Sequence, residues 1–368
     1  MSKNLGQIIW ACTIFVIVMG LLTLYSASYQ NVRVSNQVFY DQLICAGVGL
    51  LLMFALSRMD YRKFYDIAYI FYGLTVILLI VVLFKGRHAL GAQRWLSLGG
   101  ISFQPSEVAK LSLILALGRY FGRRRETPAF SSRVGMRVVS RELIVPLLLT
   151  AFPMLLTFKQ HDLGTALLFG GVFIIMLFTS GIRYRYFIGF LLICMAMAPF
   201  AWHILRPYQK DRLLVFLNPN IDPLGAGYTI IQSRIAVGSG GLLGKGWLAG
   251  TQNQLNFLPE RHTDFIFSVV GEEWGMIGVT FLIFCYFILV FSGFRIAEQV
   301  NDPFGTQMTV GIVGIICLQV VINIGMVLGL CPVVGITLPL VSYGRTSFMI
   351  FIIMIGILLN VSKRRVTF

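Results

Sequence analysis

Charged residues are scarce in this chain, and the motifs of soluble enzymes are missing. Only 12% of the 368 residues are charged, whereas 57% are hydrophobic. A typical soluble domain carries about 25% charged residues. Runs of roughly 20 apolar residues recur along the sequence, and each is long enough for one helix to cross a bilayer. The sequence therefore predicts an all-α, polytopic membrane protein.

The sequence also lacks the motifs of metal, nucleotide and disulfide chemistry. Its six cysteines lie singly in or beside apolar runs, so neither a metal site nor a disulfide framework is predicted. The glycines of residues 238–250 do not form the pattern of a nucleotide-binding P-loop. The net charge of +15 comes from basic residues clustered between apolar runs. That clustering indicates orientation in a membrane rather than binding of nucleic acid.

Ten transmembrane helices are predicted in a single membrane domain, residues 1–368. They lie near 8–28, 38–56, 64–84, 105–121, 142–158, 163–180, 184–205, 264–294, 306–330 and 338–361. Lys and Arg are more numerous in the loops on the side of the two termini, which places both termini in the cytoplasm. Residues 122–141 then form a cytoplasmic loop. Residues 206–263 form a large extracytoplasmic loop between helices 7 and 8, and a connection of that length is typical of a functional segment.

Asp264 is the first candidate for chemistry. It ends the polar run Glu260–Asp264 where the eighth apolar run begins, and an ionisable group at membrane depth marks a functional site. The start of a helix favours the ionised carboxylate and burial favours the neutral acid, so a carboxylate under both influences can serve as a general base. The alternative is that Thr263 or Asp264 only caps the helix. Further along, at least one of Glu272 and Glu273 is expected to face the interior.

Three more ionisable residues stand at the entrances of predicted spans. Glu107 and Lys110 are three residues apart, so they share a helix face and can pair. A mutual ion pair that lets the helix insert and a substrate contact explain them equally well. Asp162 stands at the head of the sixth span, where a helix cap is the simpler interpretation.

Several stretches taken together resemble the SEDS family (shape, elongation, division and sporulation) of membrane proteins. They follow one another in order over nearly the whole chain: Gly91–Leu96, Gln104–Lys110, Asp162–Thr165, Asp222–Tyr228, Gly238–Gly246, Gly250–Phe267 and Leu338–Gly344. The stretch Leu258–Asp264 contains Arg261. An arginine at this position resembles the elongation branch of the family, whereas the division branch more often has Ala there.

The resemblance implies a peptidoglycan glycosyltransferase that polymerises lipid II, a disaccharide-pentapeptide on a polyprenyl diphosphate, during cell elongation and cell-shape maintenance. It implies a class B penicillin-binding protein as partner and the bacterial cytoplasmic membrane as location. The family's essential Asp corresponds to Asp264, its Glu and Lys of the fourth helix to Glu107 and Lys110, and its Asp of the sixth helix to Asp162. Further candidates for binding or supporting the substrate are Lys245, Arg261, His262 and Ser342.

An inverting transfer with Asp264 as general base fits these residues, because the family implies an α-linked donor and a β-linked product. Lys110, loop arginines or a divalent cation could stabilise the leaving diphosphate. The sequence does not choose among them, so no cofactor is assigned and a divalent cation stays an option.

Two residues depart from the family pattern. Asp41 stands near the start of the second helix, where the family commonly has a basic residue that can partner the equivalent of Asp162. Arg345 replaces the second Gly of the usual Ser-Tyr-Gly-Gly. We expect Arg345 either to supply a compensating charge or to reshape the cavity.

Two other classes of function remain open on the sequence. A lipid II flippase would use buried ions as gates, and broken polar helices with inverted repeats would favour it. A non-catalytic scaffold for the transpeptidase would not need Asp264 at all. The acidic residues near the predicted extracytoplasmic surface and the absence of a repeat in the sequence favour the enzyme.

Overall fold

The computed structural model describes residues 4–29, 32–89, 92–98, 101–125, 136–181, 207–223 and 225–364, with isolated positions between 185 and 203. Helices dominate. They are α1 Leu5–Ser28, α2 Val32–Leu56, α3 Arg62–Lys85, α4 Pro105–Arg125, α5 Met136–Lys159, α6 Leu163–Thr179, α7 Pro207–Leu217, α8 Ala226–Ser239, α9 Thr251–Gln254, α10 Ile266–Gln299, α11 Pro303–Val327 and α12 Arg345–Arg364. A 3₁₀ turn spans Pro219–Ile221.

Apolar helices of membrane-crossing length confirm an integral membrane protein. Within the described residues six qualify by length and composition: α1, α2 from Gln37 onward, α3, α10, α11 and α12. Two shorter apolar helices, Leu143–Lys159 and Leu163–Thr179, lie in α5 and α6. The predicted seventh span, 184–205, falls largely outside the described residues. The count of ten spans therefore stays a prediction.

A small antiparallel sheet between α3 and α4 corrects the all-α expectation. Its strands are β1 Arg87–Ala89, β2 Ala92–Leu98 and β3 Ile101–Phe103, in the order β1-β2-β3. Leu96 pairs with Phe103 and Arg87 pairs with Trp95. Strands β1 and β3 have only three residues each, too few for a readable alternation of apolar and polar residues, so the sequence pattern did not indicate the sheet. The sheet leads directly into α4.

Helix α4 lies at the centre of the protein, between α3 and α11. Its side chains are almost all buried, including Leu113, Ile114 and Leu117. Helix α2 packs against α12, and α1 packs against α10. The first and last parts of the chain therefore lie side by side.

Helix α10 is broken at Gly275, which has φ +62° and ψ −163°. Residues 266–273 before the break are buried, whereas Met276 and Ile277 after it are more than 60% exposed. The segment from Met276 to Gln299 is about 36 Å long at 1.5 Å per residue, which is enough to cross the hydrocarbon core on its own. The part before the break is thus an inserted helix rather than a lipid-facing one.

The last helix begins later than the sequence suggested. The expected span 338–361 is wrong at its start, because α12 begins at Arg345 and residues 328–344 are mostly irregular. Pro339 lacks an amide donor and Leu340 has φ +64°, so neither suits a helix interior. This irregular segment lies against the turn that carries Asp264.

Candidate active site

Asp264 lies in a turn, residues 260–265, that precedes α10. Helix α10 begins at Ile266, and its capping position is Phe265, where no side chain caps the helix. Thr263 instead donates to the Glu260 side chain, at 3.1 Å. The interpretation of Thr263 or Asp264 as a helix cap is therefore wrong, and the Asp264 carboxylate is not engaged in capping α10.

The irregular segment before α12 fixes the backbone of this turn. Ser342 Oγ donates to the Thr263 carbonyl at 2.6 Å, and the Tyr343 amide donates to the His262 carbonyl at 2.9 Å. Asn323 Nδ2 in α11 donates to the Asp264 carbonyl at 2.9 Å. Ser342 also accepts from the Leu338 amide at 2.7 Å. Ser342 thus supports the site by holding the turn.

Asp264 as a residue is partly exposed. Among the described residues, no donor is hydrogen-bonded to its carboxylate oxygens. Gly335 lies near the carboxylate: a Cβ built there would lie 3.4 Å from Oδ2, and φ at Gly335 is +73°. A Cβ there would make only an ordinary van der Waals contact with the carboxylate, so the left-handed backbone of Gly335, rather than lack of space, favours glycine at this position.

The surroundings raise the pKa of Asp264 to about 6. Loss of water around the carboxylate is the largest cause, and the charge of Glu260 adds to it. The guanidinium groups of Arg94 and Arg212 act in the opposite direction, and Asp162 raises the pKa again. A carboxylate with this pKa is mostly ionised at neutral pH and is a stronger base than an ordinary Asp.

Arg261 and His262 lie within the turn, and the Arg261 side chain and the His262 carbonyl hold it in place. Arg261 Nε donates to the Ala27 carbonyl at 2.6 Å and Nη1 donates to the Asn253 carbonyl at 2.8 Å. Burial lowers the pKa of Arg261 and also the pKa of His262. The His262 ring lies 6.2 Å from the Tyr343 ring. Arg261 therefore ties the turn to the end of α1, which is a supporting role.

Asp162 caps α6 and also forms part of the site's charge network. Its Oδ1 accepts from the Thr165 amide at 3.1 Å, and it is 1% exposed. Arg94 of strand β2 lies 3.8 Å from the same carboxylate, and Gln104 Nε2 donates to Oδ2 at 3.3 Å. The basic partner that the second helix does not provide is thus supplied by Arg94.

Glu107 and Lys110 form the ion pair predicted from their spacing. Lys110 Nζ lies 2.7 Å from Glu107 Oε2, with 1% and 7% of the side chains exposed. Lys110 also donates to Gln319 Oε1 of α11 at 3.1 Å and lies over the Phe351 ring. The pair is confirmed, and its burial favours a structural role in joining α4 to α11. Whether it also supports the reaction stays a prediction.

Lys245 is paired with a buried carboxylate at the break in α10. Its Nζ lies 2.8 Å from Glu272 Oε1, and Glu272 is fully buried. The same carboxylate accepts from the amides of Gln252 at 2.9 Å and Asn253 at 3.2 Å. Glu273 is 2% exposed, so the expectation of an interior-facing glutamate is confirmed for both residues. Lys245 thus holds the connection before Asp264 rather than facing the carboxylate of Asp264.

Asp41 and Arg345, the two residues that depart from the family pattern, lie together. Arg345 Nη2 is 3.4 Å from Asp41 Oδ2, and both side chains are partly exposed. The neighbouring Gln42 Nε2 donates to the Ser342 carbonyl at 3.4 Å. Arg345 therefore supplies a charge that compensates Asp41, and α2 and α12 meet beside the segment that holds the turn.

Sequence reasoning named loop arginines only as a group and did not single out Arg94 or Arg212, and it missed Asn323 as a contributor to the site. Arg94 lies in one of the stretches that carried the family resemblance, which was the only available signal. Arg212 Nη1 donates to the Val333 carbonyl at 3.2 Å, a contact between parts of the chain that are far apart in sequence. Asn323 sits inside an apolar span, and its polarity at that depth is the signal that marks it.

The residues present give little support for a resident metal ion. Within the described part of the chain, no three His, Cys, Asp or Glu side chains are grouped so that they could hold a metal ion. Any divalent cation at Asp264 would need ligands from water or from the phosphates of a substrate. We therefore assign no step to a metal.

The fold and site define an integral membrane protein with a partly exposed aspartate whose raised pKa is moderated by the charges of two arginines. The model of the FtsW, RodA and SpoVE family, described as "Cell cycle protein", matches residues 6–367. The chain belongs to this family, which confirms the resemblance read from the sequence motifs.

The relatives have names that agree with this assignment. Peptidoglycan glycosyltransferase MrdB of Escherichia coli K12 is 39% identical over 350 residues, which cover 95% of this chain and 91% of the relative. Stage V sporulation protein E of Bacillus subtilis is 37% identical over 359 residues, covering 95% of each.

Solved structures share the fold. A chain of a peptidoglycan synthase complex, studied for its structural coordination of polymerization and crosslinking, has a TM-score of 0.81 at 34% identity and covers 98% of both chains. The rod shape determining protein RodA of Thermus thermophilus has a TM-score of 0.71 at 31% identity, covering 97% of this chain and 96% of RodA.

Proposed function

We propose that Asp264 is the general base of the peptidoglycan glycosyltransferase activity that this chain shares with its relatives. The observation that carries the proposal is the geometry of Asp264, a partly exposed residue whose carboxylate neither caps a helix nor pairs with a cation. Its surroundings also raise the pKa of Asp264 to about 6. Ion pairing would have lowered the basicity of Asp264, and capping would have occupied its oxygens. In this turn the Asp264 carboxylate can instead accept a proton from a bound substrate.

The reaction joins two lipid II-derived glycans. A sugar hydroxyl of the acceptor attacks the anomeric carbon of the donor, and its proton passes to the Asp264 carboxylate. A C–O bond to the acceptor forms as the C–O bond to the polyprenyl diphosphate breaks, with inversion at the anomeric carbon. The diphosphate leaves with the electron pair, so the step needs one base and a cationic environment for the leaving group.

Arg94 and Arg212 are better placed than Lys110 to stabilise that leaving group. Both arginines lie near enough to Asp264 to lower its pKa electrostatically. Lys110 is paired with Glu107 and is only 1% exposed, whereas the Arg94 side chain, which pairs with Asp162, is 23% exposed and can meet a ligand. A guanidinium can bind a phosphate through two parallel hydrogen bonds, which suits the developing diphosphate.

The arrangement in the membrane follows the sequence prediction. We infer ten spans with both termini in the cytoplasm, so that residues 206–263 and Asp264 face the extracytoplasmic side, where lipid-linked sugars would be polymerised. A class B penicillin-binding protein is the partner that the family implies. The likeness to a chain of a peptidoglycan synthase complex supports such an assembly.

Substitution of Asp264 by Asn tests the central assignment. Asn keeps the shape of the side chain and cannot act as an effective base at neutral pH. We expect Asp264→Asn to fold normally while its glycan synthesis falls by about 10²–10⁴-fold, the usual contribution of general-base catalysis. The measurement is the amount and length of polymer made from labelled lipid II by purified protein with its partner.

The control for this experiment is Glu298→Gln, which changes an exposed acidic residue at the far end of α10 and should polymerise normally. Thermal melting of all variants checks the fold. A well-folded Asp264→Asn protein that polymerises at the wild-type rate would contradict the assignment. If the wild-type protein moved lipid II across vesicles without making polymer, the flippase would be the better function.

A further inference from the structure

The segment Gly240–Trp247, which we call the break loop, completes the broken helix α10. The amides of Lys245 and Gly246 donate to the carbonyls of Glu272 and Glu273, at 3.0 and 3.1 Å. On the other side of the break, the Met276 and Ile277 amides donate to carbonyls of the break loop, at 2.9 and 3.2 Å. Peptide groups freed by the break are thus satisfied by protein, as an apolar environment requires.

The contact between loop and helix is too close for side chains at its centre. A Cβ on Gly275 would lie 2.2 Å from the Gly244 nitrogen, and a Cβ on Gly244 would lie 2.2 Å from the Glu273 carbonyl oxygen. Both glycines also have positive φ. Backbone contacts therefore fix the break loop against α10. These contacts also determine which of its side chains point away from the helix.

The break loop lies beside the membrane span α1 and not beyond its end. Trp247 Nε1 donates to the Leu22 carbonyl at 3.1 Å, and the Trp247 ring lies 5.8 Å from the Tyr25 ring. Leu22 precedes the end of α1 at Ser28 by about 9 Å along the helix axis. Trp and Tyr at this depth are typical of the boundary between hydrocarbon and headgroups.

The side chains that the break loop presents outward are apolar. Leu242 and Leu243 are 70% and 79% exposed. They adjoin Met276 and Ile277, which begin the exposed apolar stripe of α10 that continues through Phe284, Phe287 and Phe291. The single charged residue of residues 238–250 is Lys245, and its ammonium pairs with the buried Glu272 at 2.8 Å.

We propose that the break loop is embedded in the lipid bilayer, with the Leu242 and Leu243 side chains in acyl-chain hydrocarbon and the Trp247 indole at the headgroup boundary. The occupant of this surface is lipid because the two leucines extend the same face that α10 presents to the membrane. Burial of the two leucine side chains in hydrocarbon favours the embedded loop over a hydrated one, because apolar surface is removed from water. The connection before Asp264 is thereby attached to the membrane as well as to α10.

Fluorescence quenching in vesicles tests this proposal without reference to activity. After replacement of the native cysteines, an environment-sensitive fluorophore is attached to Leu243→Cys in protein reconstituted in phosphatidylethanolamine and phosphatidylglycerol. Phe284→Cys on the exposed stripe of α10 serves as the lipid control, and exposed Asn220→Cys serves as the aqueous control. Leu242→Cys is a second reporter in case the first variant folds poorly, which thermal melting detects.

We expect lipids with a nitroxide in the acyl chain to quench the probe at position 243 as strongly as the probe at 284, and iodide to leave it unquenched. The probe at 220 should show the reverse. Quenching of the 243 probe by iodide and not by nitroxide lipid would overturn the proposal. Protection from both quenchers, appearing only when another membrane protein is added, would show a protein-docking surface and overturn it as well.

Discussion

At the scale of single residues, Asp264 and its charged neighbours set the chemistry. The pKa of Asp264 is about 6 because lost hydration and Glu260 raise it more than Arg94 and Arg212 lower it. In the proposed reaction the same two arginines also stabilise the leaving diphosphate. The basicity of the carboxylate and the binding of the phosphate are therefore linked through shared side chains.

The pH dependence of the reaction follows from this pKa. A general base acts only when it is ionised, so the rate should rise with pH and level off above a midpoint of about 6. The measurement is the initial rate of polymerisation from labelled lipid II across the range in which the protein stays folded. A profile that is flat through pH 6 would count against Asp264 as the base.

Two substitutions should move that midpoint in opposite directions. Glu260→Gln removes a charge that raises the pKa of Asp264, so its midpoint should fall. Arg212→Gln removes a charge that lowers this pKa, so its midpoint should rise. A purely structural effect of either substitution would lower the maximal rate without moving the midpoint in these directions.

At the scale of helices, a buried and an exposed ion pair of the same sequence spacing should affect the free energy of unfolding differently when one partner is removed. Glu107–Lys110 and Arg295–Glu298 are both i,i+3 pairs, but the first is buried and the second is more than half exposed. We expect Glu107→Gln or Lys110→Met alone to reduce the free energy of unfolding by about 3–5 kcal/mol, since each leaves a buried charge unpaired.

The matched control is Arg295→Met, which should reduce the free energy of unfolding by less than about 1 kcal/mol. The double variant Glu107→Gln/Lys110→Met should recover much of the loss, because no isolated charge remains. Denaturant unfolding in detergent measures all four proteins. If the double variant is as unstable as the sum of the singles, the pair is not the reason for the destabilisation.

The contact between α2 and α12 can be tested by exchanging its charges. Asp41→Arg or Arg345→Asp alone places like charges together, so each should lower the melting temperature and the polymerisation rate. The double variant restores the attraction and should recover both. Because the pair is partly exposed, the coupling should be modest, about 0.2–1 kcal/mol. A double variant no better than the worse single would exclude this pairing.

The sequence predicted most helices and the Glu107–Lys110 pair because those features depend on local spacing. It placed the start of α12 too early, since the apolar residues 338–341 resemble a span although Leu340 has positive φ. It did not predict Arg94 as the partner of Asp162, because strand β2 and the head of α6 meet only in the folded protein. Long-range contacts of this kind leave no periodic pattern in one sequence.

At the scale of the whole molecule, orientation is the prediction that remains to be tested. Asn220→Cys should react with an impermeant thiol reagent in intact cells whose outer barriers are opened, and Met59→Cys should not. Asn220 lies in the proposed extracytoplasmic connection, and exposed Met59 lies between α2 and α3. The native cysteines are replaced first. The reverse reactivity would place Asp264 on the cytoplasmic side.

The contacts of residues 335–343 have a consequence for synthesis of the protein. The turn with Asp264 is held by Ser342 and Tyr343, and these residues are in turn positioned beside Gln42 of α2. Asp264 leaves the ribosome well before the residues that fix its backbone. A nascent or truncated chain ending before residue 335 would carry the carboxylate without the contacts of Ser342 and Tyr343, so the enzyme should acquire activity only after the segment that precedes its final helix has been synthesised.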